Sequence, residues 1–149
     1  AGLTLLSEQY ENFKNKFEEV VSQTIDPRLL TPEIQIDAEI DLEDITPKFH
    51  RILKQFAPFG PGNMSPVFMT KNLRDTGYAR CVGGDDKHLK ARFFQKGNDR
   101  SFDAIGFGLG NKCELLSERK KVKAAYCIEE NDFQGNISLQ LRLKDLESN

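Results

Sequence analysis

No apolar run in these 149 residues approaches the roughly 20 that cross a bilayer as a helix. The opening Ala1-Gly-Leu-Thr-Leu-Leu-Ser-Glu8 also lacks the basic start and long apolar stretch of a secretory signal. Membrane-spanning and secreted readings are set aside on these grounds. Cysteine is scarce: Cys81, Cys113 and Cys127 lie 32 and 14 positions apart. That spacing excludes CxxC chelation and leaves one odd thiol in any disulfide scheme. Reduced thiols in the cytoplasm fit this pattern best. The only histidines, His50 and His88, are too few and too scattered for the imidazole and carboxylate cluster of a metal-dependent hydrolase. Neither pairs by sequence with a nucleophile, so no compact catalytic constellation is visible. Gly106-Phe-Gly-Leu-Gly110 has neither GxGxxG spacing nor a following GK[ST], and reads as a strand-to-helix turn rather than a phosphate loop. Asp85, Asp86 and His88 belong to a hairpin turn, Gly83–Lys87, more naturally than to a metal site. The first residue is not Met, which suggests a piece of something longer.

What the chain does contain is an ordinary soluble balance, 38% hydrophobic and 30% charged, with a net charge of −2. At this length a core is within reach without metal or disulfide staples. The charge is uneven. Up to Pro66 six basic residues face eleven acidic ones, and from Val67 onward fifteen face twelve. An acidic front and a mildly basic rear would let the rear favour a polyanion.

Periodicity predicts a helix over 8–24, capped by Ser7, with Tyr10, Phe13, Phe17, Val20 and Val21 on one face. Pro27 stops it. Ile34, Ile36, Ala38 and Ile40 share one face of an expected strand. Thr46-Pro47 opens a short helix with the stripe Phe49, Ile52, Leu53 and Phe56, and His50, beside Lys48 and Arg51, is expected at its surface. A rigid Pro/Gly connector, Ala57–Pro66, follows. The period then becomes two. Five strand candidates are Val67–Thr70 resuming at Tyr78–Val82, then Leu89/Ala91/Phe93, Phe102/Ala104, Val122–Ile128 and Ile137–Leu143. A short helix within Leu109–Arg119 separates the third from the fourth.

The expected class is therefore mainly β (α+β): a five-stranded antiparallel OB-fold barrel preceded by an amino-terminal helix, a strand and a short helix. Alternation places Lys90, Arg92, Lys121, Lys123, Arg142 and Lys144 on its outer face, which is expected to be positive or neutral. Lys87 and His88 join them from the turn before the second strand. These eight are the candidate nucleic-acid contacts, and the plain alternative is a solvated outer face. Tyr78, Phe94 and Phe133 are available for base stacking, whereas Phe93, Phe102, Phe107 and Tyr126 are expected to fill the barrel.

Pro58-Phe-Gly-Pro-Gly-Asn63, Pro66-Val-Phe68, Val82-Gly-Gly84, His88-Leu-Lys90, Phe102-Asp-Ala-Ile-Gly-Phe107, Glu129-Glu-Asn131 and Leu139-Gln-Leu141 occur in that order. The set resembles the carboxy-terminal region of the RecJ family, bacterial single-stranded-DNA-specific exonucleases of the DHH phosphoesterase superfamily. The resemblance implies that 1–30 correspond to the helical tail of a DHHA1 domain, 31–66 to a linking strand, helix and connector, and 67–149 to the OB barrel. It further implies 5′ to 3′ hydrolysis of single-stranded DNA in repair and recombination, using Mn²⁺ or Mg²⁺ held by a DHH domain outside this chain. This stretch would then bind single-stranded DNA with no catalytic residue, metal or cofactor of its own. Its partners would be the DHH and DHHA1 domains of the same chain and other repair proteins, with no membrane. A scaffolding module that packs on the nuclease core or recruits a repair partner is the alternative. Pro58, Phe59, Gly60 and Asn63 are read as rigid turn geometry rather than as a site.

Overall fold

The computed structural model describes residues 2–117 and 120–149. The chain divides into two compact units, one ending at Glu33 and one spanning Ile34–Asn149. In the first, helix α1 (Tyr10–Thr24) follows a single 3-10 turn, Ser7–Gln9. Ser7 does not cap it; no side chain does. The apolar stripe is present but uncovered, with Tyr10, Phe13, Phe17 and Val20 all exposed. Ile25 turns extended as expected, and the carboxylate of Asp26 accepts the Arg28 amide at 3.0 Å to start the 3-10 turn Pro27–Leu30.

The second unit is built on strands β1 (Ala38–Glu39), β2 (Phe68–Asp75), β3 (Arg80–Val82), β4 (His88–Gln95), β5 (Ser101–Gly106), β6 (Val122–Phe133) and β7 (Asn136–Ser148). β2 pairs with β6, β6 with β7, β7 with β5, β5 with β4, and β4 again with β2. These five pairings close a ring in the strand order of an OB barrel. One seam differs from the all-antiparallel expectation: β5 and β7 run parallel. A crossover through helix α3 (Cys113–Ser117) followed by one hairpin returns β7 beside β5 in the same direction. The expected helix there begins as a 3-10 turn, Gly110–Lys112, and residues 118 and 119 of that expectation lie outside the described residues. Gly110 packs where an added Cβ would collide with the Asp86 carbonyl.

The strand expected over 34–40 contracts to β1, which pairs in parallel with β2. At its start Asp37 donates its amide to the Val67 carbonyl at 2.9 Å and accepts the Val67 amide on its carboxylate at 2.8 Å, and only Ile40 of the four predicted apolar residues packs on the core. Helix α2 (Pro47–Leu53) is capped by Thr46, whose hydroxyl accepts the Phe49 amide at 3.1 Å. Its inward face is rotated from the predicted one. Phe49, His50 and Leu53 turn in, while Ile52 and Phe56 are exposed. His50 is thus buried at 8% exposure rather than at the surface, with Nδ1 3.5 Å from the Glu130 carboxylate. In the connector, Gly60 and Asn63 exchange both backbone hydrogen bonds, and Asn63 Nδ2 donates to the Phe56 and Pro58 carbonyls.

The cysteines also depart from the expectation of reduced thiols. Cys81 on β3 and Cys113 on α3, with Cα atoms 6.2 Å apart, are disulfide-bonded, and Cys127 is the free, buried thiol. The crossover makes neighbours of two residues 32 apart in sequence.

Leu42, Ile45, Leu73, Leu89, Phe93, Val122, Tyr126, Leu141 and Leu146 form the core. Tyr126 brings its hydroxyl inside. Thr70 donates its only hydroxyl proton to the Ile40 carbonyl at 2.7 Å, so the 2.6 Å bond between the two hydroxyls has Tyr126 as donor. Burial pushes the Tyr126 hydroxyl up to about 12, against about 10 in an unfolded chain. The folded state therefore keeps a proton that the unfolded state gives up. The stabilisation is complete below about pH 10 and is lost as pH rises through about 12. Spectrophotometric titration of wild type and Tyr126→Phe is expected to isolate a phenolate forming near 12 only in wild type. Ionisation of that group at the ordinary tyrosine value would contradict this account.

Candidate nucleic-acid interface

β4 reads His88-Leu-Lys-Ala-Arg-Phe-Phe-Gln95, and Leu89, Ala91 and Phe93 are its buried residues. His88, Lys90 and Arg92 consequently face outward. The register carries this face across four strands. Arg80 of β3 lies opposite Lys90, Lys90 opposite Ile105 of β5, and Ile105 opposite Arg142 of β7. Three of the four positions in that row are cationic. At 4.7–4.9 Å per strand, the row from Arg80 to Arg142 is roughly 14 Å long.

An aromatic ring stands at each side of the row. Tyr78 carries the guanidinium of Arg80 at 4.8 Å and that of Arg92 at 5.3 Å from its ring centroid. Phe107 has the Arg142 guanidinium at 5.7 Å and the His88 ring edge-on at 5.3 Å. His88 in turn accepts the Gly108 amide on Nδ1 at 3.1 Å, fixing the turn that presents Phe107. Phe107 is 59% exposed rather than inside the barrel.

The turn holding Tyr78 is organised by a buried carboxylate. Asp75, 3% exposed, accepts the Gly77 and Ala79 amides on Oδ2 at 2.6 and 3.0 Å and the Arg92 amide on Oδ1 at 3.1 Å. The Thr76 amide donates to the Arg92 carbonyl at 2.9 Å, so this turn and β4 are tied at both backbone groups of Arg92.

The face is not uniformly positive or neutral, as alternation suggested. Arg92 lies opposite Asp103 and bonds it at 2.6 Å, and that carboxylate raises the guanidinium's pKa above its ordinary value. Arg142 reaches Glu129 diagonally at 3.0 Å, Lys123 reaches Glu147 opposite it at 2.9 Å, and Lys87 reaches Asp85 at 3.2 Å. Cross-strand positions select opposite charges, and only the register reveals the partner. His88, Lys90, Arg92 and Arg142 come together on one face, with Lys87 at its rim. Lys144 continues the β7 row two residues beyond Arg142, and its charge reaches the Cys127 thiol on β6. Lys121 and Lys123 lie apart, at the β6 start; Lys121 lines a polar cleft of about 270 Å³ with Asp41, Glu43 and Gln95.

A model of the RecJ OB domain family matches residues 36–145. The chain belongs to that family. It is 29% identical over 148 residues to the single-stranded-DNA-specific exonuclease RecJ of Salmonella typhimurium and 28% identical to those of Escherichia coli and Haemophilus influenzae. These alignments cover 98–99% of this chain but 25% of each relative's length. The crystal structure of RecJ from Thermus thermophilus in complex with Mn²⁺ superimposes with a TM-score of 0.70 at 22% identity, over 99% of this chain and 20% of that one. Its Mg²⁺ complex gives 0.68 at the same identity. These likenesses establish the fold. The donor set of the present chain does not fit such an ion: among the described residues no group of three or more His, Cys, Asp or Glu could hold one.

For this RecJ OB face, Arg80 escaped the sequence reading and Phe107 was expected inside the barrel, although alternation marks both. The inward row Phe102, Ala104, Gly106 puts Phe107 on outward parity, and Arg80 pairs opposite outward Lys90.

Replacing Asp75 by alanine removes the acceptor of three amides in a buried corner. Asp75→Ala is expected to cost about 2–3 kcal/mol, read as a lower urea midpoint at unchanged slope. An unaltered midpoint would show that the carboxylate does not organise the turn.

Proposed function

We propose that this chain is the strand-holding OB part of a 5′ to 3′ single-stranded-DNA exonuclease of DNA repair and recombination, and that the strand crosses the face formed by β3, β4, β5 and β7. The observation carrying this reading is the cationic row Arg80, Lys90 and Arg142 flanked by the rings of Tyr78 and Phe107. Phosphates need cations spread over neighbouring strands, and bases need accessible π faces; here the strands carry the cations, and hydrogen-bonded turns carry the rings. The relatives' description as single-stranded-DNA-specific exonucleases supports the substrate class. Hydrolysis itself belongs, in this reading, to a DHH domain elsewhere in a longer protein, where Mn²⁺ or Mg²⁺ would activate water and neutralise phosphate charge.

α1 fits the same picture. Its exposed stripe of Tyr10, Phe13, Phe17 and Val20 suits burial within a preceding DHHA1 domain, as the resemblance of residues 1–30 implies. A cytoplasmic site follows from the proposed role in DNA repair; no helix among the described residues is long and apolar enough to cross a membrane. The second reading, a scaffolding module that packs on the nuclease core or recruits a repair protein, is favoured by one observation. Arg92, Lys123 and Arg142 already have carboxylate partners.

Titration of an oligonucleotide at several ionic strengths separates the two. Strand binding is expected to weaken steeply with salt, and Lys90→Ala and Arg142→Ala are each expected to reduce the log–log slope by about 0.7. Binding that is undetectable at low salt, or a slope unmoved by either change, would favour scaffolding.

A further inference from the structure

The two guanidiniums on Tyr78 are held differently. Arg92 Nε bonds Asp103 at 2.6 Å, and its backbone is tied to Asp75 and Thr76. Arg80 is exposed, and among the described residues its one side-chain hydrogen bond is from Nη2 to the Tyr78 hydroxyl at 2.9 Å. Among the described residues no carboxylate forms an ion pair with it. The ring itself is fixed: Asp75 Oδ2 grips the amides on either side of Tyr78, at Gly77 and Ala79. Gly77 takes φ +95°, a left-handed conformation that a side chain would resist, and this lets the turn wrap the carboxylate.

We propose that Tyr78 is a stacking platform for one unpaired nucleobase and that Arg80 is the group the base displaces, its guanidinium leaving the ring for the phosphate beside that base. This rests on the reading of the face as a DNA-binding surface and names a subsite within it. The exchange is favourable at each end. A cation over an exposed ring gains less than a base stacked on it, and the released guanidinium gains a charge-assisted bond to phosphate. Arg92 stays behind, anchored by Asp103. Because Asp75 has already ordered the turn, little conformational freedom is lost when the base arrives.

The test compares a short oligothymidylate with an abasic oligomer of the same length, each titrated into the 149-residue protein across a range of salt. Wild type is expected to prefer the base-bearing strand, and Tyr78→Leu to weaken oligothymidylate binding about tenfold while leaving abasic binding and the salt slope unchanged. Tyr78→Phe keeps the preference. Arg80→Ala keeps it too, but lowers the salt slope by about 0.7. Circular dichroism melting checks the fold of each variant, and if Tyr78→Leu does not fold, Tyr78→Phe and Arg80→Ala decide. Equal loss on both oligomers for Tyr78→Leu, loss of preference in Tyr78→Phe, or an unchanged slope in Arg80→Ala overturns the platform. If wild type binds both oligomers alike, the platform fails and the binding face stands. If it binds neither, the reading of the face falls and the platform with it.

Discussion

Closure of the barrel at β2 and β4 is the constraint on which the rest depends. Besides β1, β2 must serve two neighbours in the ring, pairing with β6 through Phe68–Thr70 and with β4 through Leu73–Asp75. The ladder with β6 is interrupted between Thr70 and Leu73, and Asn72 there takes φ +58°, a left-handed conformation that asparagine tolerates better than most residues. The bend redirects the strand. Only three residue pairs then close the ring, and a side chain reinforces each end of that seam. Gln95 accepts the Leu42 amide at 2.7 Å and donates to Asp41 and the Lys71 carbonyl; Asp75 binds the turn beyond β2 and the Arg92 amide. The residue that seals the barrel is also the one that positions Tyr78.

The ion pairs on the outer face bear on how a polyanion could be accommodated. Exposed pairs of this kind contribute little to stability because water and salt screen them. Exchanging Glu129 for a phosphate at Arg142 therefore sacrifices little of the fold. Such pairs also quench the long-range field. With a net charge of −2, the protein as a whole has no strong long-range attraction for a polyanion, so the proposed recognition would rest on short-range contacts at Arg80, Lys90 and the two rings.

Much of this architecture was legible in the sequence because it follows from period and punctuation. The Thr46-Pro47 cap, the last four alternating segments and the helix stopped at Pro27 are local signals, and the structure agrees with them, whereas the first segment divides into β2 and β3. What was not legible depends on register and packing. No spacing rule pairs Arg92 with Asp103 or Lys123 with Glu147; those contacts exist only once strands are aligned. The facing of α2 was misread because an apolar stripe at Ile52 and Phe56 outweighed a histidine, yet the exposed Glu130 of β6 gives the buried His50 ring a polar neighbour at its edge. The strand at Ile34–Ile40 failed for a related reason. Alternation was real, but β2 offers a partner for only two of its residues.

The dimensions of the face argue for division of labour. In the proposed role, a row of roughly 14 Å would hold only a short piece of strand, at the low end of the roughly 4–16 nucleotides that OB folds engage. Its own affinity is consequently limited. Joined to a neighbouring domain that grips the same strand, the second contact becomes intramolecular, and the combined binding exceeds either part by a factor set by their separation. A modest, rigid and sequence-tolerant surface suits that arrangement better than a tight one. On the proposed reading, a strand that advances past a cutting site elsewhere has to leave each subsite as readily as it enters, and an arginine displaced from Tyr78 that returns to its ring would give the subsite a resting state.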